Sequence, residues 1–114
     1  MINKFLQQPS SSESNELERK TVKFMFRSEN DPVTERMIWM VSYLIDCNWE
    51  NEIPEFDYKD KVISGLSIGY EFNSSDSSFS FTLFREGLKI KDLDISEVDE
   101  KGYFIIIILP EMIE

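Results

Sequence analysis

Cys47 is the only thiol in this 114-residue chain, and there is no histidine anywhere. A nucleophilic cysteine draws on a nearby base, usually imidazole, to form its thiolate. With none available, Cys47 reads as a buried structural residue. Zinc chemistry wants Cys/His clusters, which are also missing. Asp92-Leu-Asp94-Ile-Ser96 has the spacing that opens a calcium loop. However, Glu97 stands where that loop needs glycine, and Tyr103 stands where it needs a bidentate glutamate. Four isolated glycines, at 65, 69, 87 and 102, do not make a phosphate cradle. Carboxylates are plentiful, but none is singled out as acid or base, and so short a chain has little room for a saccharide cleft. The expectation is a binding protein with no catalytic residues, no metal and no cofactor.

Charge is the informative feature. The chain has 22 acidic and 12 basic side chains, a formal net charge of −10. That argues against nucleic acid as a partner, because such binders need a basic footprint. Residues 1–29 carry five bases and four acids, whereas residues 30–114 carry seven bases and 18 acids. Two acidic clusters stand out. The first, over 46–60, interleaves acids with aromatics, and its candidate partner-binding residues are Asp46, Trp49, Glu50, Glu52, Glu55, Phe56, Asp57 and Tyr58. Rings supply buried contact area and charge speeds encounter with a basic surface. The second cluster, over 92–100, contributes Asp92, Asp94 and Glu97, with Trp39 as a further candidate anchor. The plainer alternative is a solvated acidic loop whose aromatics tuck into the core, and a polar hairpin turn for the second cluster.

These residues need elements to position them. Residues 8–15 read as a loop or arm, with Ser12 or Ser14 capping a short helix over Glu16–Lys20. Val22, Phe24 and Phe26 alternate with Lys23, Met25 and Arg27, which is strand periodicity, although the helix-favouring LERK leaves a helix over 14–27 as the alternative. Residues 31–49 read as the main helix, with Asp31 as N-cap and Pro32 at the first helical position. Val33, Met37, Met40, Val41 and Leu44 then share one face, and Asp46 and Glu50 lie at the C-terminus, where negative charge is unfavourable. Residues 50–61 form an acidic connection. Alternation predicts strands over 66–72 and 79–83, and Glu86-Gly87 predicts a tight hairpin into 88–91. A change of apolar phase between Ile90 and Leu93 suggests a bulge or a bend. Asp99–Gly102 predicts another turn, and Tyr103–Leu109 the last strand, ended by Pro110.

The expected fold is a single α+β domain over 1–114, with residues 1–20 as a partly ordered arm. Its elements run β-α-β-β-β-β, with a mainly antiparallel sheet and one long helix packed on one face. Both faces of the last strand are apolar, so both need cover. Residues 1–20, a second copy of the chain or another protein are the candidates for the second face, which Met25 and Phe84 would share. The N-terminus lacks the apolar run of a secretory signal. The longest apolar run, Tyr103–Leu109, is far below the roughly 20 residues of a membrane-spanning helix. A cytoplasmic protein with no membrane partner is expected.

In length, acidity and the acid–aromatic segment ENEIPEFDYKD, the chain resembles the immunity proteins of bacterial polymorphic-toxin systems, contact-dependent inhibition among them. The resemblance implies a small cytoplasmic protein that neutralises a cognate toxin domain, a nuclease for choice, by blocking its basic active site. It implies no particular fold or residue. Two alternatives stand beside it: a phage- or plasmid-encoded inhibitor of a host nuclease or defence system, and a non-catalytic adaptor or oligomeric subunit.

Overall fold

The computed structural model describes residues 19–28 and 31–113. Ten strands follow one another: β1 (Arg19–Ser28), β2 (Asp31–Leu44), β3 (Trp49–Glu52), β4 (Phe56–Tyr58), β5 (Lys61–Ile63), β6 (Leu66–Asn73), β7 (Ser78–Arg85), β8 (Leu88–Leu93), β9 (Glu97–Val98) and β10 (Phe104–Ile108). A 3-10 turn, Pro110–Met112, follows. Among the described residues there is no α-helix, so none is long and apolar enough to cross a membrane. The expected α+β class is therefore corrected to an all-β fold.

The main correction falls on residues 31–49. The expected helix is β2, a 14-residue strand that pairs antiparallel with β1. Six of its residues are β-branched or aromatic (Val33, Thr34, Ile38, Trp39, Val41, Tyr43), types that fit a pleated surface better than a helix. Its register passes from Phe24–Trp39 to Met25–Met37, leaving Ile38 as an extra, bulged residue. The bulge flips the alternation. Trp39, Val41 and Tyr43 lie on the side of buried Val22 and Phe24, while Met37 and Met40 lie opposite, beside Met25 and Lys23. A bulged strand with two apolar faces spaces its hydrophobics by three and four, as an amphipathic helix does. Pro32, read as a helix start, begins an edge strand, where a missing N–H costs no ladder bond. Of the short helix expected over Glu16–Lys20, Arg19 and Lys20 begin β1; the rest, and the 8–15 loop, lie outside the described residues.

The strands form two four-stranded sheets, ordered β2-β1-β10-β9 and β3-β6-β7-β8, and a small β4-β5 hairpin. The first three of the last four expected strands appear as an antiparallel β6-β7-β8 meander. The last strand does not continue it. β10 crosses to the other sheet and pairs parallel with β1, Phe24 opposite Ile106 and Phe26 opposite Ile108. An Ile run apolar on both faces suits that interior position. The expected bulge near Ile90 is present: Leu83 pairs with Lys91 and Phe84 with Lys89, so Ile90 is the extra residue. Glu86 and Gly87, with φ of 53° and 80°, make the tight β7–β8 turn.

The two sheets face each other across an aromatic core. Phe24 meets Phe81 edge-on with centroids 6.2 Å apart, Tyr43 meets Tyr70 at 4.5 Å, and Trp39 meets Trp49 at 5.8 Å. Val22, Phe24, Ile68, Leu83, Ile106 and Ile108 are fully buried. Each such side chain contributes about 1.5–3 kcal/mol of burial. The β4-β5 hairpin closes one end, with Phe56 and Tyr58 against Phe26 at 5.1 and 4.8 Å. At the β2–β3 turn, the Tyr70 hydroxyl donates to the Ile45 carbonyl at 2.8 Å, and Asn48 Oδ1 accepts from the Phe72 N–H at 2.7 Å. Cys47 sits in that turn and is exposed, not buried as expected.

Candidate partner-binding face

The acid–aromatic segment sorts itself by strand alternation. In β3, Trp49 pairs with Tyr70 on the core side, while Glu50 and Glu52 pair with Gly69 and Ser67 on the outward side. In β4, Phe56 is buried, Asp57 exposed and Tyr58 half-buried. The rings point inward and the acids outward, because neighbouring residues of a strand face opposite ways. Trp49 stacks on Tyr70 at 5.6 Å, and its buried indole N–H has no hydrogen-bond acceptor among the described residues. Trp39 stacks on Phe24 at 5.4 Å. These four aromatics build the core and present little surface to a partner. No helix end stands beside Asp46 and Glu50, so the expected dipole penalty there does not apply.

Glu50 and Glu52 acquire new neighbours on the outward face of the β3-β6-β7-β8 sheet. Ser67 and Gly69 keep its middle low. A Cβ at Gly69 would come within 3.0 Å of the Phe84 ring, which lies across that glycine. At the β7–β8 turn the Glu86 N–H donates to the Gly65 carbonyl at 2.8 Å, and the Glu86 carboxylate rests over Gly65. Gly65 has a φ of 79° and no Cβ, and both are required there. An open depression of about 520 Å³ results, lined by Glu50, Glu52 and Glu86. A second, of about 490 Å³, is lined by Glu50, Glu71, Thr82, Phe84 and Lys89. Glu50 is common to both. Lys89 is the one base lining either, and it pairs with Asp92 at 3.2 Å.

Ion pairs divide the acids. Lys23 binds Asp99 at 2.7 Å, and Arg27 pairs with Glu35 and, at 3.7 Å, with Glu97. The Lys23 hydrogen bond, with backbone N–H groups of Tyr103 and Lys101, holds the Asp99 carboxyl below its usual range. Among the described residues, Glu50, Glu52, Glu71 and Glu86 have no ion-pair partner. Asp46, in the β2–β3 turn, is exposed and acts with burial to push the Tyr70 hydroxyl up to about 12. Glu55 and Asp57 are exposed but belong to the connection and hairpin that follow β3. In the second cluster, Asp92 and Glu97 are engaged by bases and Asp94 is exposed.

Sequence reasoning missed Glu71, Glu86 and Phe84 as members of this face. Alternation over 66–72 turns Glu71 outward, but no local signal brings residue 86 into the same depression as residue 50. Met25 lies on the other sheet's outward face, opposite Ile107, so it and Phe84 do not share a patch. Among the described residues, no cluster of metal-ligating side chains occurs. Comparison with protein-family models, curated proteins and solved structures finds no match for the chain in any of the three.

Proposed function

We propose that this chain is a non-catalytic inhibitor that binds a basic protein through the outward face of its β3-β6-β7-β8 sheet. The reading favoured is an immunity protein acting in the cytoplasm on a cognate toxin domain, a nuclease for choice. One observation carries it: Glu50, Glu52, Glu71 and Glu86 lie along one face, and none of them has an ion-pair partner among the described residues. A nuclease active site is a concentration of positive charge made to hold phosphates. A carboxylate array on a folded sheet offers a protein substitute and speeds encounter at low salt. Phe84, lying over Gly69, supplies apolar contact area within the array.

The test is an affinity pull-down with the wild-type chain, read by mass spectrometry, followed by co-expression with the toxin domain that it captures. The wild-type chain rescues growth and binds the purified domain with an affinity that falls as salt rises. The Glu50→Lys/Glu52→Lys/Glu86→Lys variant, folded by circular dichroism, neither rescues nor binds. Rescue by that variant, or binding indifferent to salt, would sink the proposal.

A further inference from the structure

Each of the two sheets has two edges, and three of these four edge strands are short or carry charge. β3 is four residues long and bears Glu50 and Glu52; β8 bears Lys89, Lys91 and Asp92; β9 is two residues long and bears Glu97. Such charges and short lengths discourage pairing with another chain. β2 is different. It has 14 residues, and among the described elements only β1 pairs with it. From Met37 to Leu44 it has eight residues without a charge. Met37 and Met40 are about half exposed on its outward face, at 50% and 47%, and behind them lie Met25, Ile105 and Ile107, all half-buried.

We propose that β2 pairs antiparallel with β2 of a second copy, joining two four-stranded sheets into one of eight strands across a twofold axis. The register follows from the bulge. When the axis passes between Ile38 and Trp39, Met37 lies opposite Met40 of the second copy, and Glu35 lies opposite its Ser42. The outward residues 35, 37, 40 and 42 then map onto one another, so both copies keep their apolar face on the same side. Charge favours this orientation. The strand's ionised side chains past its first residue, Glu35 and Arg36, are both in its N-terminal half, Glu35 held by Arg27 and Arg36 donating to the Asp57 carbonyl. Antiparallel pairing sets them against uncharged Ser42 and Val41 of the other copy, where parallel pairing would set like against like. The four-methionine cluster seals the seam. The acidic face belongs to the other sheet and stays open in the dimer.

Sedimentation velocity on the full chain tests this. The wild-type protein reaches twice the monomer mass as concentration rises, and does so at lower concentration in high salt, because each copy carries a net −10. Met37→Lys/Met40→Lys puts four ammonium groups at the seam, and its dimerisation weakens at least tenfold. Met37→Glu/Met40→Lys places opposite charges across the same seam and dimerises again. A third variant, Cys47→Ser/Met37→Cys/Met40→Cys, forms a covalent dimer on mild oxidation. A wild-type chain that stays monomeric overturns the proposal. So does a dimer indifferent to the double lysine, or one that Met37→Glu/Met40→Lys does not restore. If the lysine variant fails to fold, the cysteine variant decides: no covalent dimer means no such seam.

Discussion

The outward faces of the two sheets cover one core from opposite sides, and they carry opposite chemistry. The β2-β1-β10-β9 face presents Met25, Met37, Met40, Ile105 and Ile107, and its acids Glu35, Glu97 and Asp99 are held by Arg27 and Lys23. The β3-β6-β7-β8 face presents Ser67, Gly69 and Thr82 between carboxylates that have no base among the described residues, save Asp92 on Lys89. The difference comes from where the bases enter. Lys23 and Arg27 belong to β1, which lies inside the first sheet, so they reach acids brought there by β2, β9 and the β9–β10 turn. The second sheet is drawn wholly from the acidic part of the chain. A charge asymmetry along the sequence has become one across the sandwich.

The largest effect should come from beneath both faces. Phe81 is 1% exposed and packs against Phe24 of one sheet and Tyr70 of the other. Phe81→Ala should cost about 3–5 kcal/mol in urea unfolding and weaken both faces together. A loss confined to one sheet by hydrogen exchange would show that the faces do not share a core.

The next effect separates them. Ile107→Ala, on the apolar face, should cost about 1–2 kcal/mol. Thr82→Ala, at a central position of the acidic face, should change stability by less than about 0.5 kcal/mol. Equal costs would erase the contrast.

pH offers a finer division. Asp99, its carboxyl held low by Lys23, stabilises the folded chain above the ordinary carboxylate pKa, and that contribution is lost as pH falls through its lowered value. Tyr70 behaves in the opposite sense. Its pKa is raised to about 12, so its contribution is complete below the unfolded value of about 10 and is lost as pH climbs between them. Asp99→Asn should flatten only the acid limb of the stability profile, and Tyr70→Phe only the alkaline limb. Each limb unchanged in its variant would remove that assignment.

The smallest effect on stability is the most discriminating for function. Glu50→Lys/Glu52→Lys should alter stability by less than about 0.5 kcal/mol while weakening capture of a basic partner at least tenfold. Salt should act with opposite sign on the two faces, weakening partner binding through the acids and strengthening self-association through β2. The same sign for both would mean that one face has been misassigned.

Period-two alternation made β1, β6 and β7 legible, and the Glu86-Gly87 turn was readable from residue type alone. β2 was not, because its Ile38 bulge breaks the alternation and imitates helical spacing. The candidate site was half legible. Glu50 and Glu52 are apparent as acids, yet with Trp49 at a helix end and F-D-Y in a connection the sequence leaves Trp49 and Phe56 open as either surface anchors or core residues, a choice that strand alternation makes.

By itself the sequence determined the local alternation, the turn chemistry and the uneven run of charge, all of which depend on residues close along the chain. Only the tertiary structure decided that β10 pairs parallel with β1, that Glu86 lines the same depression as Glu50 and that β2 is an edge strand among the described elements. Those placements join residues dozens of positions apart. They are settled by how two sheets bury one aromatic core, which no short stretch of sequence encodes.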